Sequence, residues 1–511
     1  MRGNLQLPQY KAIRNISTQL VQSRYSYNTF THLQQTPFSS ERTTMASPRE
    51  ITIIGGGIIG CSTAYYLTRH PSYSPSTHRI TLLEAAATST GGRTSDSVLQ
   101  DPATLTLDAD ASLRNPAHDG IAGGASGKAG GLLALWAFPS NIVPLSFRLH
   151  DELAKEHGGA QRWGYRRCWA GQIECSARVP PGLASSSGSG KDDDGGGGDG
   201  TQKSASKGLH KDHRKDELRK LGVPEELDWV DATTAAGGGV MRAYDGIGTP
   251  DDTAQVHPEL FTRALAQFAE DSGVQIITGA RATLITRSAD ESSVESVTYE
   301  KDGEAITLRT TDCIVAAGPW TRRLLPEIPV TASRAHSVVL RTPRPWSAHT
   351  LFTAIRLPAG FRTPVAKMAK SGPEKPGVLR AQQIVEPEIY ARPDGTVYTC
   401  GPTDEAVPLP VASAEVEVDA ARCEDLIAQL NGISAEARQD GEVLARQACY
   451  LPQGGPYIGQ VGDTKGLIVA AGHTCWGIQN APGTGKLVSE IVFDGKPMSA
   501  RLGGCDPALV L

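Results

Sequence analysis

Residues 49–67 read REITIIGGGIIGCSTAYYL and join three local patterns without a gap. The β-branched run at 50–54 predicts a buried strand. Glycines follow at 55–57 and again at 60. The small and apolar residues at 61–67 then favour a helix that packs on a sheet. The stretch therefore predicts a strand, a tight glycine turn and a helix, which is how a doubly wound α/β domain begins.

The glycine spacing and a later acid predict a ligand for this unit. In the pattern G-x-G-x-x-G, Gly55 makes the turn out of the strand, Gly57 lets the backbone approach a pyrophosphate, and Gly60 lets the helix pack closely. The N–H groups at the start of a helix attract phosphates. A second predicted strand at 80–84 ends in Glu84, whose carboxylate would accept hydrogen bonds from a ribose. This combination predicts a dinucleotide site, since a glycine-rich turn without a ligand leaves the acid unexplained.

Length, charge and cysteine usage exclude several classes of protein. The 511 residues are enough for more than one domain, and 50 Lys+Arg against 55 Asp+Glu argue against nucleic acid as a partner. The apolar runs are shorter than the roughly 20 residues of a membrane helix, so no membrane span is expected. The nine scattered cysteines include no C-x-x-C pair. This argues against a disulfide scaffold and a metal site and fits a reducing compartment.

Two segments differ in composition from the rest of the chain. Residues 1–47 are rich in Ser, Thr, Gln and Asn, with no acid before Glu41. This is typical of a disordered tail, of a mitochondrial targeting segment, or of an upstream start with the working start at Met45. Residues 184–215 are rich in Ser, Gly and Asp and predict a disordered insertion, because they cannot bury apolar area. We expect a cytoplasmic protein, with the mitochondrion as the alternative.

Three later segments bear on which dinucleotide is bound. Residues 123–133, GGASGKAGGLL, form a second loop of small residues. Predicted strands at 312–318 and 466–472 both end in glycine, and apolar residues at 486–493 have helical spacing. At this point an NAD(P)-dependent dehydrogenase that shares only the first motif is the alternative to an FAD-binding protein.

Taken together, these motifs resemble the D-amino-acid oxidase-like (DAO) family of FAD-dependent oxidoreductases, which includes sarcosine and glycine oxidases. The resemblance covers roughly residues 50–140, 245–340 and 385–497 and is nearest to a fungal branch whose substrates are poorly defined. It includes the hairpin IYARPDGTVY at 389–398, which resembles a Tyr-x-Arg-Pro-x-x-Gly motif of the substrate lobe.

The resemblance implies an α/β fold of two domains. One is a discontinuous Rossmann-type FAD-binding domain, expected over residues 48–140, 245–335 and 440–500. The other is an α+β substrate domain with a mainly antiparallel sheet, expected over residues 141–244 and 336–439. The flavin ring would lie at their junction, where clefts usually form.

The resemblance also assigns cofactor residues. Those expected to bind FAD are Gly55, Gly57, Ile58, Ile59, Gly60, Glu84, Ser126, Gly127, Lys128, Ala129, Gly130, Gly318, Gly472 and Gly477. Non-covalent binding is expected. A covalent link to Cys449 is the alternative, because residues 446–450 loosely resemble the segment that carries a flavin-linked cysteine in some sarcosine oxidase relatives.

The reaction implied is oxidation of a C–N bond in a small amine or amino acid, by hydride transfer to flavin N5. The electrons would pass to oxygen or to another acceptor. An Arg usually holds a substrate carboxylate, because its planar fork forms two bonds. The residues expected at the substrate are His473, Arg334, His336 and Tyr390, with Arg380, Arg392 and Trp476 as further candidates. No Tyr/Arg pair matches a carboxylate clamp, so the alternative is a flavin-folded protein with a mainly non-catalytic trafficking or regulatory role.

Overall fold

The computed structural model describes residues 48–87, 119–178, 220–231, 240–363, 377–379 and 381–511. The expected N-terminal tail at 1–47, the insertion at 184–215 and the candidate Arg380 lie outside the described residues. From Arg49 to Leu511 the chain forms one compact unit.

A six-stranded sheet contains the strand of the glycine motif. It is built from β1 (Arg49–Ile54), β2 (His78–Glu84), β8 (Gln275–Thr278), β12 (Asp312–Val315), β21 (Tyr457–Gln460) and β22 (Leu467–Ala471). The order is β21-β22-β12-β1-β2-β8, and only the β21–β22 pair is antiparallel. Of the two later strands that the sequence predicts, β12 therefore pairs directly with the strand of the first motif, and β22 pairs with β12 on its far side.

Helices cover one face of this sheet and a small second sheet covers the other. The helices are α1 (Ile58–Arg69), α2 (Val143–His157), α3 (Gly159–Arg162), α4 (Pro258–Asp271) and α8 (Gly477–Asp494). The small sheet contains β9 (Arg281–Arg287), β10 (Val294–Lys301) and β11 (Glu304–Arg309). Because strand side chains alternate between faces, Ile51 and Ile53 pack in the helical core while Ile54 packs toward the small sheet.

A larger sheet is mainly antiparallel. Its members are β5 (Trp169–Ser176), β6 (Met241–Gly248), β13 (Thr331–Arg341), β14 (His349–Leu357), β17 (Gln383–Val385), β18 (Glu388–Ala391), β19 (Thr396–Cys400) and β20 (Glu442–Gln453). The main order is β20-β13-β19-β18-β14-β5-β6, and β17 pairs with β14. One face packs against α6 (Ala420–Ile433) and α7 (Ala435–Asp440) in a second apolar core.

The remaining elements are short. They are β3 (Leu132–Ala134), β4 (Arg166–Arg167), β7 (Thr253–Gln255), β15 (Arg362–Thr363), β16 (Gly377–Val378) and α5 (Thr321–Leu324). No helix in the described part of the chain is long and apolar enough to cross a membrane.

The predicted α/β class, with a parallel sheet and a separate, mainly antiparallel sheet, is confirmed. Residues 442–453, which the sequence predicts to belong with the FAD-binding segments, form β20 beside β13 in the larger sheet. The exact domain boundaries stay a prediction.

Candidate active site

A cleft follows the carboxyl ends of β1, β2, β12 and β22 and passes the N-termini of α1 and α8. Open α/β sheets bind their ligands at this edge. The cleft holds about 1470 Å³ of space, open solvent at its mouth included.

Most of the predicted cofactor residues line this cleft, namely Gly55, Gly57, Ile58, Ile59, Glu84, Ser126, Ala129, Gly318, Gly472 and Gly477. The other four predicted residues are not among those that line the cleft, namely Gly60, Gly127, Lys128 and Gly130. The structure therefore brings together, along one groove, motifs that are up to about 420 residues apart in the sequence.

The glycines of the first motif differ in what surrounds them. Gly55 has a φ of +115°, and a Cβ there would lie 2.4 Å from the carbonyl oxygen of Ala316. A Cβ on Gly60 would lie 1.9 Å from the carbonyl oxygen of Gly55, so α1 packs directly on the turn. A Cβ on Gly57 would meet only the hydroxyl of Ser126, at 3.2 Å. Gly57 is therefore the glycine that leaves space in the cleft itself.

The N-terminus of α1 offers backbone donors to the cleft. Its first turn contains no acidic residue, and Gly57 supplies no side-chain cap. The N–H of Ile58 donates to Ser126 Oγ at 2.9 Å. The first N–H groups of a helix and its positive dipole end stabilise phosphate oxygens. The residues present here fit the diphosphate of a dinucleotide.

Glu84 ends β2 and closes the other end of the cleft. Its Oε2 accepts from the N–H of Gly56 at 2.6 Å, and its Oε1 accepts from the N–H of Ala86 at 2.8 Å. Burial raises the pKa of this carboxyl, and the backbone donors oppose that shift. Each oxygen keeps a lone pair, because a carboxylate has about four acceptor sites. Ribose hydroxyls can use them.

His473 lines the cleft, but its ring is buried against α8. Its Nε2 lies 3.0 Å from the hydroxyl oxygen of Thr484. Burial lowers the pKa of this imidazole to about 3, so the ring is neutral near neutral pH. A neutral ring cannot form an ion pair with a substrate carboxylate. The contact instead fixes the loop at 472–477 against the helix.

The structure does not bring Arg334 and His336 to the cleft. Arg334 Nη2 lies 3.2 Å from Asp404 Oδ1, and Nη1 donates to the carbonyl oxygen of Glu417 at 3.2 Å. His336 Nε2 accepts from the N–H of Asp419 at 3.0 Å, and burial, followed by two nearby arginines, lowers its pKa to about 4. Both side chains are buried in these contacts.

Strand alternation explains this placement. On β13, Ser333 pairs with Leu451 of β20, and Leu451 lines the cleft. Neighbouring residues on a strand point to opposite faces. Arg334 and His336 therefore face the side on which α6 begins at Ala420.

Arg392 supports the second loop from behind. Its Nη2 donates to the carbonyl oxygen of Ala129 at 2.8 Å, and its guanidinium carbon lies 5.2 Å from the ring centre of Tyr398. Nη1 lies 3.5 Å from Nε2 of His257. Arg392 is buried, so it positions a loop that lines the cleft. Trp476 is also buried and stacks edge-on with Trp136.

Tyr390 lies on the face of the larger sheet that is turned away from α6. Its hydroxyl donates to Glu388 Oε2 at 2.5 Å. A Cβ on Gly130 would lie 2.7 Å from the Tyr390 ring, so the second loop rests on this ring. Cys400 pairs directly with Glu388 across the strands, and its Sγ lies 3.9 Å from Oε2. Glu388 was missed in the sequence. The signal available was its spacing of two residues from Tyr390.

Lys128 and Cys449 lie together beside the second loop. Lys128 Nζ donates to the carbonyl oxygen of Ala448 at 3.0 Å. Burial raises the pKa of the Cys449 thiol to about 11, although Lys128 opposes the shift. Burial also lowers the pKa of Lys128. Among the described residues, no group of three or more His, Cys, Asp or Glu could hold a metal ion.

The family of the chain follows from comparison with known proteins. The family model DAO, FAD dependent oxidoreductase, matches residues 50–98 and 117–491. The chain belongs to this DAO family. It is an FAD-dependent oxidoreductase, as its motifs predict.

Two fungal relatives cover nearly the whole chain. TDA3 of Saccharomyces cerevisiae is 31% identical over 557 residues, which covers 90% of this chain and 94% of that protein. C1F5.03c of Schizosaccharomyces pombe is 30% identical over 487 residues, which covers 91% of this chain and 99% of that protein. Their names give oxidoreductase as a provisional class and state no substrate. The predicted likeness to a fungal branch is confirmed.

The fold is shared with a solved DAO-type structure. The glycine oxidase of Geobacillus kaustophilus superposes with a TM-score of 0.52 at 18% identity, which covers 90% of this chain and 98% of that one. At this identity the likeness concerns the fold.

Proposed function

We propose that this DAO-family protein oxidises a C–N bond of a small amine or amino acid, with FAD lying along the cleft. The observation that carries the proposal is that the cleft extends from Glu84 to the loop at 472–477 and to Leu451 of the larger sheet. A dinucleotide bound along it would have its far end beside the polar face that contains Tyr390. The solved glycine oxidase of the same fold acts, by its name, on an amino acid.

In this proposal the chain's residues hold the cofactor in three places. Glu84 accepts hydrogen bonds from the ribose, the start of α1 at Gly57 binds the diphosphate, and the loop at 472–477 contacts the ring end. Bound FAD supplies the hydride acceptor, flavin N5. The N-terminus of α8 lies at this end of the cleft, where Gly477 is part of the lining. Its dipole stabilises negative charge there.

We further propose that FAD is held non-covalently. Cys449 is not among the residues that line the cleft. Its thiol has a pKa of about 11 and is therefore protonated near neutral pH, whereas the thiolate is the reactive form of cysteine. Flavin that is released by acid precipitation supports this, and flavin that stays with the precipitated chain overturns it.

The electron acceptor and the compartment belong to the same proposal. Electrons pass to oxygen or to another acceptor, and the protein acts in the cytoplasm. The nine cysteines support a reducing compartment, since all are free thiols in the structure. The mitochondrion stays the alternative.

An anaerobic absorbance titration tests the function. The purified full chain is expected to show the bands of an oxidised flavin, and these bands are expected to bleach on addition of an amine or amino acid that the site accepts. A protein that takes up no FAD contradicts the proposal. A flavin that no amine or amino acid bleaches favours the non-catalytic alternative.

A further inference from the structure

Glu388 presents a carboxylate to the face of the larger sheet that carries Tyr390. The Tyr390 hydroxyl and the Cys400 thiol both direct a donor at its Oε2, at 2.5 and 3.9 Å. Donors of this kind stabilise the ionised carboxylate, while burial opposes ionisation and raises the pKa of the carboxyl. The side chain is partly exposed.

No Lys, Arg or His among the described residues forms an ion pair with Glu388, whose polar neighbours are Tyr390 and Cys400. A carboxylate held in a low-dielectric site without a counter-ion is costly, and a cation at this position lowers that cost. Of the arginines proposed for a substrate carboxylate, the two that the structure describes, Arg334 and Arg392, have other partners. Arg334 pairs with Asp404, and Arg392 donates to Ala129.

The carboxylate borders the ring end of the cleft. Cys475 lines the cleft, and its thiol has a pKa raised to about 11 by burial and then by the charge of Glu388. On the other side, the Tyr390 ring supports the loop residue Gly130. Glu388 therefore lies between the two loops assigned to the cofactor.

Aromatic rings surround the same region. Phe352 of β14 pairs directly with Glu388 of β18, so both side chains lie on one face. The ring centre of Trp136 is 6.4 Å from that of Phe352 and 5.6 Å from that of Trp476. The faces of such rings attract cations within about 6 Å.

We propose that Glu388 is the counter-ion for the ammonium group of the substrate, with Phe352 and Trp136 forming the wall beside it. The preferred substrate is a cationic amine with an apolar or aromatic substituent, rather than an amino acid held by its carboxylate. This inference rests on the proposed function and narrows its substrate class.

Calorimetric titration of the FAD-loaded full chain with benzyltrimethylammonium tests the site. This cation has no N–H to lose, so its binding is measured without turnover. Glu388→Gln keeps an acceptor for Tyr390 and removes the charge, and we expect about tenfold weaker binding or more. Glu386→Gln is the matched control, because Glu386 is exposed and lies two residues from Glu388. This variant is expected to bind the cation with the affinity of the wild type. Benzoate, an anion of similar size, is expected to bind far more weakly than the cation.

Equal affinity for the cation in Glu388→Gln and in wild type overturns the inference, as does benzoate binding as tightly as the cation. Phe352→Leu provides a second measurement if Glu388→Gln does not fold, and several-fold weaker cation binding is expected. An unchanged affinity in that variant also counts against the site.

The two proposals fail in different ways. Bleaching by an amino acid, with no binding of the cation, overturns the present inference and leaves C–N oxidation intact. Cation binding that depends on Glu388, with no amine able to bleach the flavin, supports this site and contradicts the proposed oxidation.

Discussion

His150 donates a hydrogen bond from Nε2 to the carbonyl oxygen of Ile478, 2.9 Å away. In a regular helix that carbonyl would accept from the N–H four residues later, but that residue is Pro482, which has none. At the next residue pair of α8, the Ser146 hydroxyl accepts from the N–H of Gly483 at 2.9 Å and donates to the carbonyl oxygen of Gln479 at 2.6 Å. Helix α2 thus supplies the hydrogen bonds that α8 lacks where it approaches the cleft.

Removing this support should destabilise the fold. His150→Ala leaves the carbonyl of Ile478 buried without a donor, which costs about 1–3 kcal/mol and should lower the thermal midpoint of the protein. In the double variant His150→Ala/Pro482→Ala, residue 482 regains an N–H that can bond to Ile478. The double variant is therefore expected to lose less than the sum of the two single changes. Strict additivity would show that the proline and the histidine are not coupled.

Two glycines of the first motif should separate folding from cofactor binding. Gly60→Ala places a Cβ 1.9 Å from a backbone oxygen, so soluble yield and stability should fall sharply. Gly57→Ala meets only a hydroxyl at 3.2 Å, so the protein should fold, while its FAD affinity should fall by about tenfold or more because the methyl group occupies the phosphate side of the turn. Flavin fluorescence titration measures the affinity. An unchanged FAD affinity in Gly57→Ala would show that the diphosphate does not bind beside Gly57.

The buried position of Arg334 makes it a stability residue. Arg334→Met removes the hydrogen bonds to Asp404 and to the carbonyl oxygen of Glu417, while Arg422 stays 3.6 Å from Asp404. Buried groups left without these bonds cost roughly 1–3 kcal/mol, whereas turnover per FAD-loaded molecule should stay unchanged. Arg341→Met on the same strand is the control. Arg341 pairs with Glu442 near the surface, and exposed pairs contribute about 1 kcal/mol or less. A loss of turnover in Arg334→Met with stability intact would indicate that Arg334 acts at the substrate site.

Acid should destabilise the protein through its buried histidines. Burial lowers the pKa to about 4 for His150, His257, His336 and His349, and to about 3 for His473. The unfolded chain binds these protons near pH 6.5 and the folded chain does not. Stability from this source is therefore complete above about pH 6.5 and is lost as the pH falls toward 4. Thermal midpoints from pH 8 to pH 4 measure the loss.

A single substitution isolates one of these titrations. His349→Gln removes one group that protonates on unfolding, so the midpoint should fall less steeply with acid than in the wild type. The same dependence of the thermal midpoint on pH in both proteins would show that His349 does not contribute to the loss of stability in acid.

The glycine motif and Glu84 could be predicted residue by residue because their geometry is local. A strand, a turn with a positive φ and a helix start are fixed within about 30 residues, and each leaves a mark on residue choice. The same holds for β12 and β22, whose carboxyl ends are followed by Gly318 and Gly472. The motif shows in the sequence because a Cβ on Gly55 would collide with backbone, which restricts the position to glycine.

The substrate face could not be predicted in the same way. Whether Arg334 points to the cleft or to α6 depends on the register of β13 against β20, more than 100 residues away. A shift of one residue would exchange the two faces. Glu388 begins a hairpin strand and resembles an ordinary surface acid until Cys400 and Phe352 are placed on either side of it.

The two faces of the larger sheet have a consequence for mutational libraries. Ile389 and Val397 pack into the core with α6, while Tyr390 and Tyr398, the next residue along each strand, meet on the other face. In a saturation library of β18 and β19, tolerance should therefore alternate with a period of two. Substitutions on the Tyr390 face are expected to leave expression unchanged and to alter substrate preference. Substitutions at the neighbouring positions are expected to lower expression and to leave substrate preference unchanged. Laboratory evolution toward new amines can thus be confined to every second codon of these strands.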